Sequence, residues 1–528
     1  MADYDCDSLI IGAGVAGALI ARELAADGDK VLILEAGDSV NREAATQRYR
    51  QAWNRKLEAP YEAWDWAPVP DSEKPASYYG PYVDRTFNPL FLKAIGGSTW
   101  HWTGITPRFL PSDFALHSRY GVGVDWPLSY DDIEPYYVLA ERALGVAGNS
   151  DDPQGSPRSA PYPMKSIPLS YSDQAIAKKL AGMGLDVAPF PAARNSRAYD
   201  GRPACQGNGT CTPLCPIGAS YSADHDIRKA IRQGATLIPR AVAYRLEADR
   251  QGNIHTVHYK TPDKIEHTLK ARRVVLACNT IETARLLLMS RNEHYPDGIA
   301  NRSGMVGRNL MDHTIFVTTF RMREPIYAGR GPQSIATIRT GRDGSFRKKH
   351  AAAKLFISND VNIHQYMSRI LEHQEQWSEA LSLLREQVIH VGHIGAEVEQ
   401  LPDPNNRLEL DHQRLDPLGL PLPTIHFHSS KYTRDGLKVW QERVADIIRH
   451  MDATLEESTI SYSSHHPAGT TSMGDNPATS VVDRHCRAHD HPNLFMVGGH
   501  VFPTMGTANP TLTIAALSLR LAKHLERQ

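Results

Sequence analysis

The chain's first continuous apolar run, Leu9-Ile10-Ile11, leads straight into Gly12-x-Gly14-x-x-Gly17, and Ala18 to Ala26 then carries helix-forming residues. A short apolar run closed by a turn marks a buried strand, and the length that follows suits a helix. Lys30–Leu34 repeats the strand pattern and ends in Glu35. Apolar runs return at Thr236–Leu246 and Arg273–Ala277, the second entering Cys278-Asn279-Thr280 and a helical stretch from Ile281 to Met289. Asn493-Leu-Phe-Met-Val-Gly-Gly499 is a last strand running into a glycine turn. A helix starts beyond Gly506, with Pro510 at its first position, where no N–H is needed. Strands alternating with helices in this way predict an α/β fold with a parallel sheet.

Other stretches carry different periods. Ser129, followed by acidic residues, opens a capped helix over 128–146. Residues 41–89 are rich in Pro, Tyr and Trp without periodicity and predict an irregular insertion. From 320 to 460, short strand-like runs (Leu355–Ile357, Arg407–Leu410, Thr424–His428) mix with helical stretches at 372–388 and 432–452. They predict a second, largely antiparallel domain. The expected division gives one discontinuous domain to 1–40, 90–110, 220–318 and 470–528, a second to 111–200 and 319–469, and a separate cysteine loop at 201–219.

The first turn has a recognisable chemistry. Gly12 permits the tight turn, Gly14 lets backbone approach a pyrophosphate, and Gly17 lets helix and strand pack closely. The helix N-terminus offers free N–H groups and partial positive charge to phosphates. Glu35, at the end of the next strand, stands where an acidic residue holds an adenosine ribose hydroxyl. The segment Gly96-Gly97-Ser98, followed by Trp100, His101 and Trp102, offers a second place where backbone can approach a flat ligand.

Composition narrows the partners. Lys+Arg number 58 and Asp+Glu 59 in 528 residues, a formal charge of -1, which argues against nucleic acid or an anionic membrane surface. No run of 18 apolar residues suggests a transmembrane helix. The first strand starts within ten residues of Met1 without a charged leader, so no signal peptide is expected. Of six cysteines, Cys6, Cys278 and Cys486 are scattered, which is not the pattern of a secreted disulfide framework.

The other three form Cys205-x5-Cys211-x3-Cys215-Pro216 in a Gly/Pro-rich loop. Thiolates ligate iron–sulfur clusters, and a closing Cys-Pro is a feature of ferredoxin-type runs. Three close ligands without a fourth suit a 3Fe-4S cluster. Zinc wants a fourth ligand, and His225 is the one nearby histidine.

The N-terminal fingerprint with Glu35, Gly96-Gly97-Ser98, Asn309-Leu-Met-Asp-His313, and the segment from His466 to Asn509-Pro510 together resemble the glucose–methanol–choline oxidoreductases. The likeness runs through most of the chain and is weakest across 320–460. It implies an FAD-binding Rossmann-like domain, a substrate domain built on a mostly antiparallel sheet, and oxidation of an alcohol by hydride transfer to flavin. It implies cofactor contacts at Gly12, Gly14, Gly17, Glu35, Gly96, Gly97, Ser98, Val242, Asn509, Pro510 and Thr511. The helix starting at Pro510 would set its dipole against the reduced flavin. By the family pattern His466 is the base for the substrate hydroxyl and Asn509 its partner, with His465 a lesser candidate. A histidine suits proton removal near neutral pH, and an amide both donates and accepts.

The cysteine loop resembles that of the catalytic subunits of bacterial sugar and polyol dehydrogenase complexes. That resemblance implies a sugar or polyol substrate, a small subunit carrying a twin-arginine export signal, and a multihaem cytochrome c that takes the electrons. It places the protein on the periplasmic side of the inner membrane, touching the membrane through its partners, with a cytoplasmic location as the alternative. Other functions stay open: a stand-alone flavoprotein oxidase or dye-linked dehydrogenase with an idle cysteine loop, a glycoside 3-dehydrogenase, or a non-catalytic flavin module. The His466/Asn509 pair argues against the last.

Overall fold

Five parallel strands carry the first half of the architecture in this computed structural model, which describes residues 4–527 apart from 53–55, 82, 84–85, 153 and 373–376. Their order across the sheet is Leu494–Met496, Ala271–Leu276, Cys6–Ile11, Val31–Leu34 and Thr236–Ile238. Cys6–Ile11 lies at the centre, with Ile11 registered against both Leu34 and Leu276. A strand covered on both faces can be apolar throughout, as Leu9-Ile10-Ile11 and Val274-Val275-Leu276 are. Helix Val15–Ala26 packs against helices Asp224–Arg232 and Thr511–Leu525, and the last also packs against Tyr130–Leu144. Tyr130–Leu144 is capped by Ser129, whose hydroxyl accepts from the Asp132 N–H.

The second half is an antiparallel sheet of six strands in the order Ala453–Ser461, Thr314–Met322, Val391–Val398, Ala353–Ser358, Ala336–Ile338 and Val187–Pro189. Side chains alternate between its faces. Phe316, Phe320, Leu355, Ile357, Ile394 and Ala396 face a core shared with Leu437, Val444 and Ile447 of helix Lys431–His450. Ile315, Val317, Lys354, Phe356 and Glu397 face the opposite way, into a cavity against the parallel sheet. No helix among the described residues is long and apolar enough to cross a membrane.

Four stretches differ from the sequence expectation. Thr236–Leu246 is not one strand. Arg240, at φ 54, turns the chain after Thr236–Ile238. Val242–Ala248 then starts an antiparallel meander with Ile254–Lys260 and Glu266–Leu269. The turn is held by the Arg240 and Ala241 N–H groups, which donate to Gly37 and Glu35 carbonyls, and by the Arg240–Asp38 ion pair at 2.5 Å. Within 41–89, Arg42–Gln51 is a regular helix whose Asn41 side chain accepts from the Ala44 N–H. The helical stretch expected over 372–388 is seen as Trp377–Val388, after a separate helix Ile363–Leu371; its residues 373–376 lie outside the described residues. The strands at Arg407–Leu415 and Pro421–His426 pair with each other and pack on helix Thr280–Met289, not in the six-stranded sheet.

Candidate active site

A cavity of about 630 Å³ runs from the first glycine turn to the inner face of the six-stranded sheet. Gly12 (φ 108) turns so tightly that a Cβ there would sit 2.8 Å from the Ala277 carbonyl oxygen. At Gly17 a Cβ would meet the Gly12 oxygen at 1.9 Å, so helix and strand touch backbone to backbone. Gly14 is different: a Cβ there has nothing within 4 Å and would project into open space beside the helix N-terminus. No side chain caps that helix, nor helix Thr511–Leu525, and Gly14, Val15, Pro510 and Thr511 all line the cavity. Two uncapped helix N-termini at one cavity favour negative charge at two places. The residues present therefore fit a dinucleotide with a ring that becomes anionic on reduction.

The other cofactor candidates are distributed as follows. Glu35 and Val242 line the same arm, with the Glu35 carboxylate accepting from the Ala13 and Gly37 N–H groups at 2.8 and 2.9 Å. Burial pushes its pKa up while those backbone bonds pull it down. Gly97 and Ser98 also line the cavity, whereas Gly96 serves from behind by donating its N–H to the Ala13 carbonyl at 2.9 Å. His101 and Trp102 reach the cavity. Trp100 is buried beneath, donating to the Ile95 carbonyl with the Arg42 guanidinium 4.4 Å over its ring.

At the far arm, His466 and Asn509 meet: the Asn509 Nδ2 lies 3.1 Å from His466 Nε2. The remaining bonds settle which atom carries which proton. His313 Nε2 lies 3.0 Å from the Gly506 carbonyl, an atom that only accepts, so Nε2 is the protonated nitrogen. Burial lowers the His313 pKa to about 4, so the ring is neutral near pH 7 and its Nδ1 is a bare acceptor. His466 Nδ1, 3.1 Å away, must donate to it. The Nε2 of His466 is then the lone-pair nitrogen, aimed at Asn509 and the cavity. Burial lowers the His466 pKa to about 3, with Glu397 opposing the shift and His313 and Lys354 adding to it. This is an imidazole held neutral, in one tautomer, with its acceptor atom outward.

The supporting residues are Asp312, Lys354 and Glu397. Asp312 accepts from the Ser463 hydroxyl at 2.7 Å and from the Ser464 and His466 N–H groups at 3.1 and 3.0 Å, fixing the turn that carries His466. Burial pushes its pKa up to about 7 against those bonds. Lys354 donates to Asn509 Oδ1 and pairs with Glu397 at 2.5 Å. His465 lines the cavity and its Nδ1 accepts from the Leu90 N–H at 3.1 Å, so that nitrogen is occupied in holding the 90–93 segment. Among the described residues, His313, Glu397 and His466 also form a group whose ligand atoms lie within 4.8 Å of one another. The ammonium of Lys354 and the hydrogen bonds just given account for those atoms without a metal ion.

None of these supports is among the candidate residues that the sequence singles out. Asp312 and His313 lie inside Asn309–His313, where nothing local in the sequence signals a supporting role. Lys354 offered a clear signal: a lysine in the apolar run Ala351-Ala-Ala-Lys-Leu-Phe-Ile357 must be paired if that run is a buried strand. Its partner was out of sight, because Glu397 reaches it only through the register of the two strands, where the two residues are directly opposed.

Cys205, Cys211 and Cys215 are free thiols in one partly exposed loop. Their sulfurs do not form a group within 4.8 Å among the described residues. A single zinc, whose ~2.3 Å bonds hold thiolates closer than that, does not fit the loop as it stands. The Gly207 N–H lies 3.4 Å from Cys205 Sγ as a donor, and hydrogen bonds to sulfur are among the means of tuning such clusters. Gly207 and Gly209, at φ 66 and 67, bend the loop. Thr212 of the same loop lines the cavity, with its N–H and hydroxyl both donating to Gln333 Oε1.

Comparison with known proteins gives the following likenesses. GMC oxidoreductase family models match residues 168–315 and 402–518, and an FAD dependent oxidoreductase model matches 7–67. The fructose dehydrogenase large subunit of Gluconobacter japonicus is 40% identical, over 98% of this chain and 97% of that one. Paromamine 6'-oxidase of Streptomyces fradiae is 30% identical, over 98% and 90%. A crystal structure of pyridoxine 4-oxidase from Mesorbium loti superposes with a TM-score of 0.67 at 17% identity, over 99% of this chain and all of that one, a likeness of fold.

Proposed function

The chain belongs to the GMC oxidoreductase family of FAD-dependent enzymes, and on that premise we propose that it is the catalytic subunit of a sugar or polyol dehydrogenase. The observation that carries the reading is the neutral His466, its Nε2 lone pair turned to the cavity beside the Asn509 amide. A substrate hydroxyl entering between them gives its proton to Nε2 and accepts a hydrogen bond from Asn509 Nδ2. Bound FAD supplies the acceptor for the hydride that leaves the carbinol carbon as the carbonyl forms. His313 accepts from His466 Nδ1 throughout and so holds the ring while it takes the proton. Ile315, Val317 and Phe356 of the six-stranded sheet give that step an apolar wall.

The sugar or polyol assignment is supported by the similarity to a fructose dehydrogenase large subunit. The same similarity supports partner subunits. The reading includes a 3Fe-4S cluster on Cys205, Cys211 and Cys215, which when bound supplies one-electron transfer toward a cytochrome c. It also includes a small subunit bearing a twin-arginine signal and a location on the periplasmic side of the inner membrane. A second reading, a flavoprotein oxidase that uses oxygen, is favoured by the similarity to paromamine 6'-oxidase. Iron and acid-labile sulfide per flavin, with dye-linked and oxygen-consuming rates side by side, separate the two. Roughly three irons per flavin and a dye-linked rate far above the oxygen rate support the dehydrogenase. Flavin without iron in anaerobically prepared protein, turning over with oxygen, would establish the oxidase.

A further inference from the structure

The geometry points to Lys354 as a positioning residue: by donating to Asn509 Oδ1 it fixes which way the amide faces, and through it the acceptor state of His466 Nε2. The inference rests on His466 being the base. An Asn side chain has nearly the same shape either way round, so what it presents is decided by its partners. Lysine has three donors and no acceptor, so the atom of Asn509 beside Lys354 is the oxygen. The nitrogen is thereby left for His466. Turned over, Asn509 would present its oxygen to His466, and the ring would be drawn to carry a proton on Nε2, the tautomer that cannot take one from substrate. His313 resists that change from the other side, through Nδ1.

The fold explains why a lysine can do this. Lys354 and Glu397 are directly opposed on neighbouring antiparallel strands, so their side chains leave the sheet together on the cavity face. Lys354 is 1% exposed, and a buried ammonium must be paired. Glu397, 2.5 Å away, supplies the charge, while Asn509, on the turn before helix Thr511–Leu525, takes a second donor. Lys354 and Glu397 are both anchored in strands, which places the ammonium more rigidly than a loop would.

The test must separate hydrogen-bond donation from loss of a buried charge. Lys354→Met alone strands Glu397, so the informative variants are neutral pairs: K354M/E397Q, which lacks a donor at 354, and K354Q/E397Q, which keeps an amide donor there. Flavin content and thermal midpoint are measured first. Then kcat, KM and their pH dependence are read with the dye-linked assay. Nitrogen-15 NMR of the His466 ring, assigned by its loss in H466A, reports the tautomer independently of turnover. The expected result is a kcat about 10²-fold lower in K354M/E397Q, as for other small misplacements of a reacting group. KM should be little changed, the His466 signals should shift toward a protonated Nε2, and K354Q/E397Q should recover most of the rate and the native signals. Wild-type kcat in K354M/E397Q would overturn the inference. So would two equally slow double variants whose His466 signals match wild type. Failure of sugar to reduce the wild-type flavin would instead count against the proposed function, and the NMR comparison would still decide the role of Lys354.

Discussion

Replacing Gly14 and Gly17 by alanine, one at a time, separates what the first glycine turn does for the ligand from what it does for the fold. At Gly17 a Cβ would lie 1.9 Å from the Gly12 carbonyl oxygen and 3.1 Å from its carbon. Van der Waals contact is about 1.5 Å farther out. Both sides of that contact are backbone, so no rotamer change relieves it, and helix Val15–Ala26 must move off the central strand. Overpacking of this kind costs ~1–3 kcal/mol, and here the upper end is expected. Gly14 has φ -78 and ψ -168, which alanine adopts freely, and its Cβ meets no protein atom within 4 Å. Gly14→Ala should therefore leave the flavin-free protein as stable as wild type or ~0.4–1 kcal/mol more so, since alanine restricts the unfolded chain. Its methyl enters the space where backbone must approach the pyrophosphate, and FAD affinity should fall at least about tenfold, ~1.4 kcal/mol. Urea unfolding of the flavin-free proteins and FAD titration by fluorescence quenching read the two effects. Full FAD affinity in Gly14→Ala together with a wild-type midpoint in Gly17→Ala would refute this account of the turn.

Other outcomes follow from the same geometry. Asp312→Ala strands two backbone N–H groups and a hydroxyl. At ~1–3 kcal/mol for an unsatisfied buried group, it should unfold at clearly lower urea and reduce flavin slowly, whereas Asp312→Asn, which can both accept and donate, should be milder. Burial lowers His101, His313 and His465 to about 4 and His466 and His500 to about 3. Each is neutral when folded and takes a proton when unfolded, so the unfolded chain binds more protons between those values and the usual ~6.5. Stability present above pH 6.5 should be lost as pH falls toward 4, at roughly 1.4 kcal/mol per pH unit for each ring; equal urea midpoints at pH 7.5 and 5 would contradict this. For the same reason the acid limb of flavin reduction should lie well below pH 6.5, as a stopped-flow pH profile will show. Cys211→Ser should lower iron per flavin and the cytochrome-linked rate while leaving anaerobic reduction of the flavin by substrate intact.

The cofactor half of the molecule was legible because its determinants are local. The turn at Gly12–Gly17, Glu35 four residues past Val31, and Pro510 before its helix each declare themselves within a few positions. The strand Arg273–Ala277 and helix Ile281–Met289 were placed to within two residues of the observed elements. The break at Arg240 was not visible, since a left-handed arginine is imposed by the contacts of Gly37, Glu35 and Asp38 and not by its own preference. The site was half legible. The family likeness names His466 and Asn509, but the bonds that fix their protons come from His313 and Lys354, and Asp312 holds the turn that carries His466. Those lie more than 100 residues from His466 and are brought to it by sheet register and chain return. A buried lysine says that a partner exists, not which of the chain's acidic residues it is.

The central claim, that neutral His466 takes the proton of a sugar or polyol hydroxyl as hydride leaves its carbon, is tested most directly by the absorbance of the FAD-loaded protein mixed anaerobically with D-fructose and a panel of hexoses and polyols. The account predicts that at least one of them bleaches the wild-type flavin. It predicts that His466→Ala, with FAD still bound, does so ~10²–10⁴-fold more slowly, the usual contribution of a positioned base. Bleaching of His466→Ala at the wild-type rate, or an oxidised flavin throughout the panel while a simple aliphatic alcohol reduces it, would contradict the account.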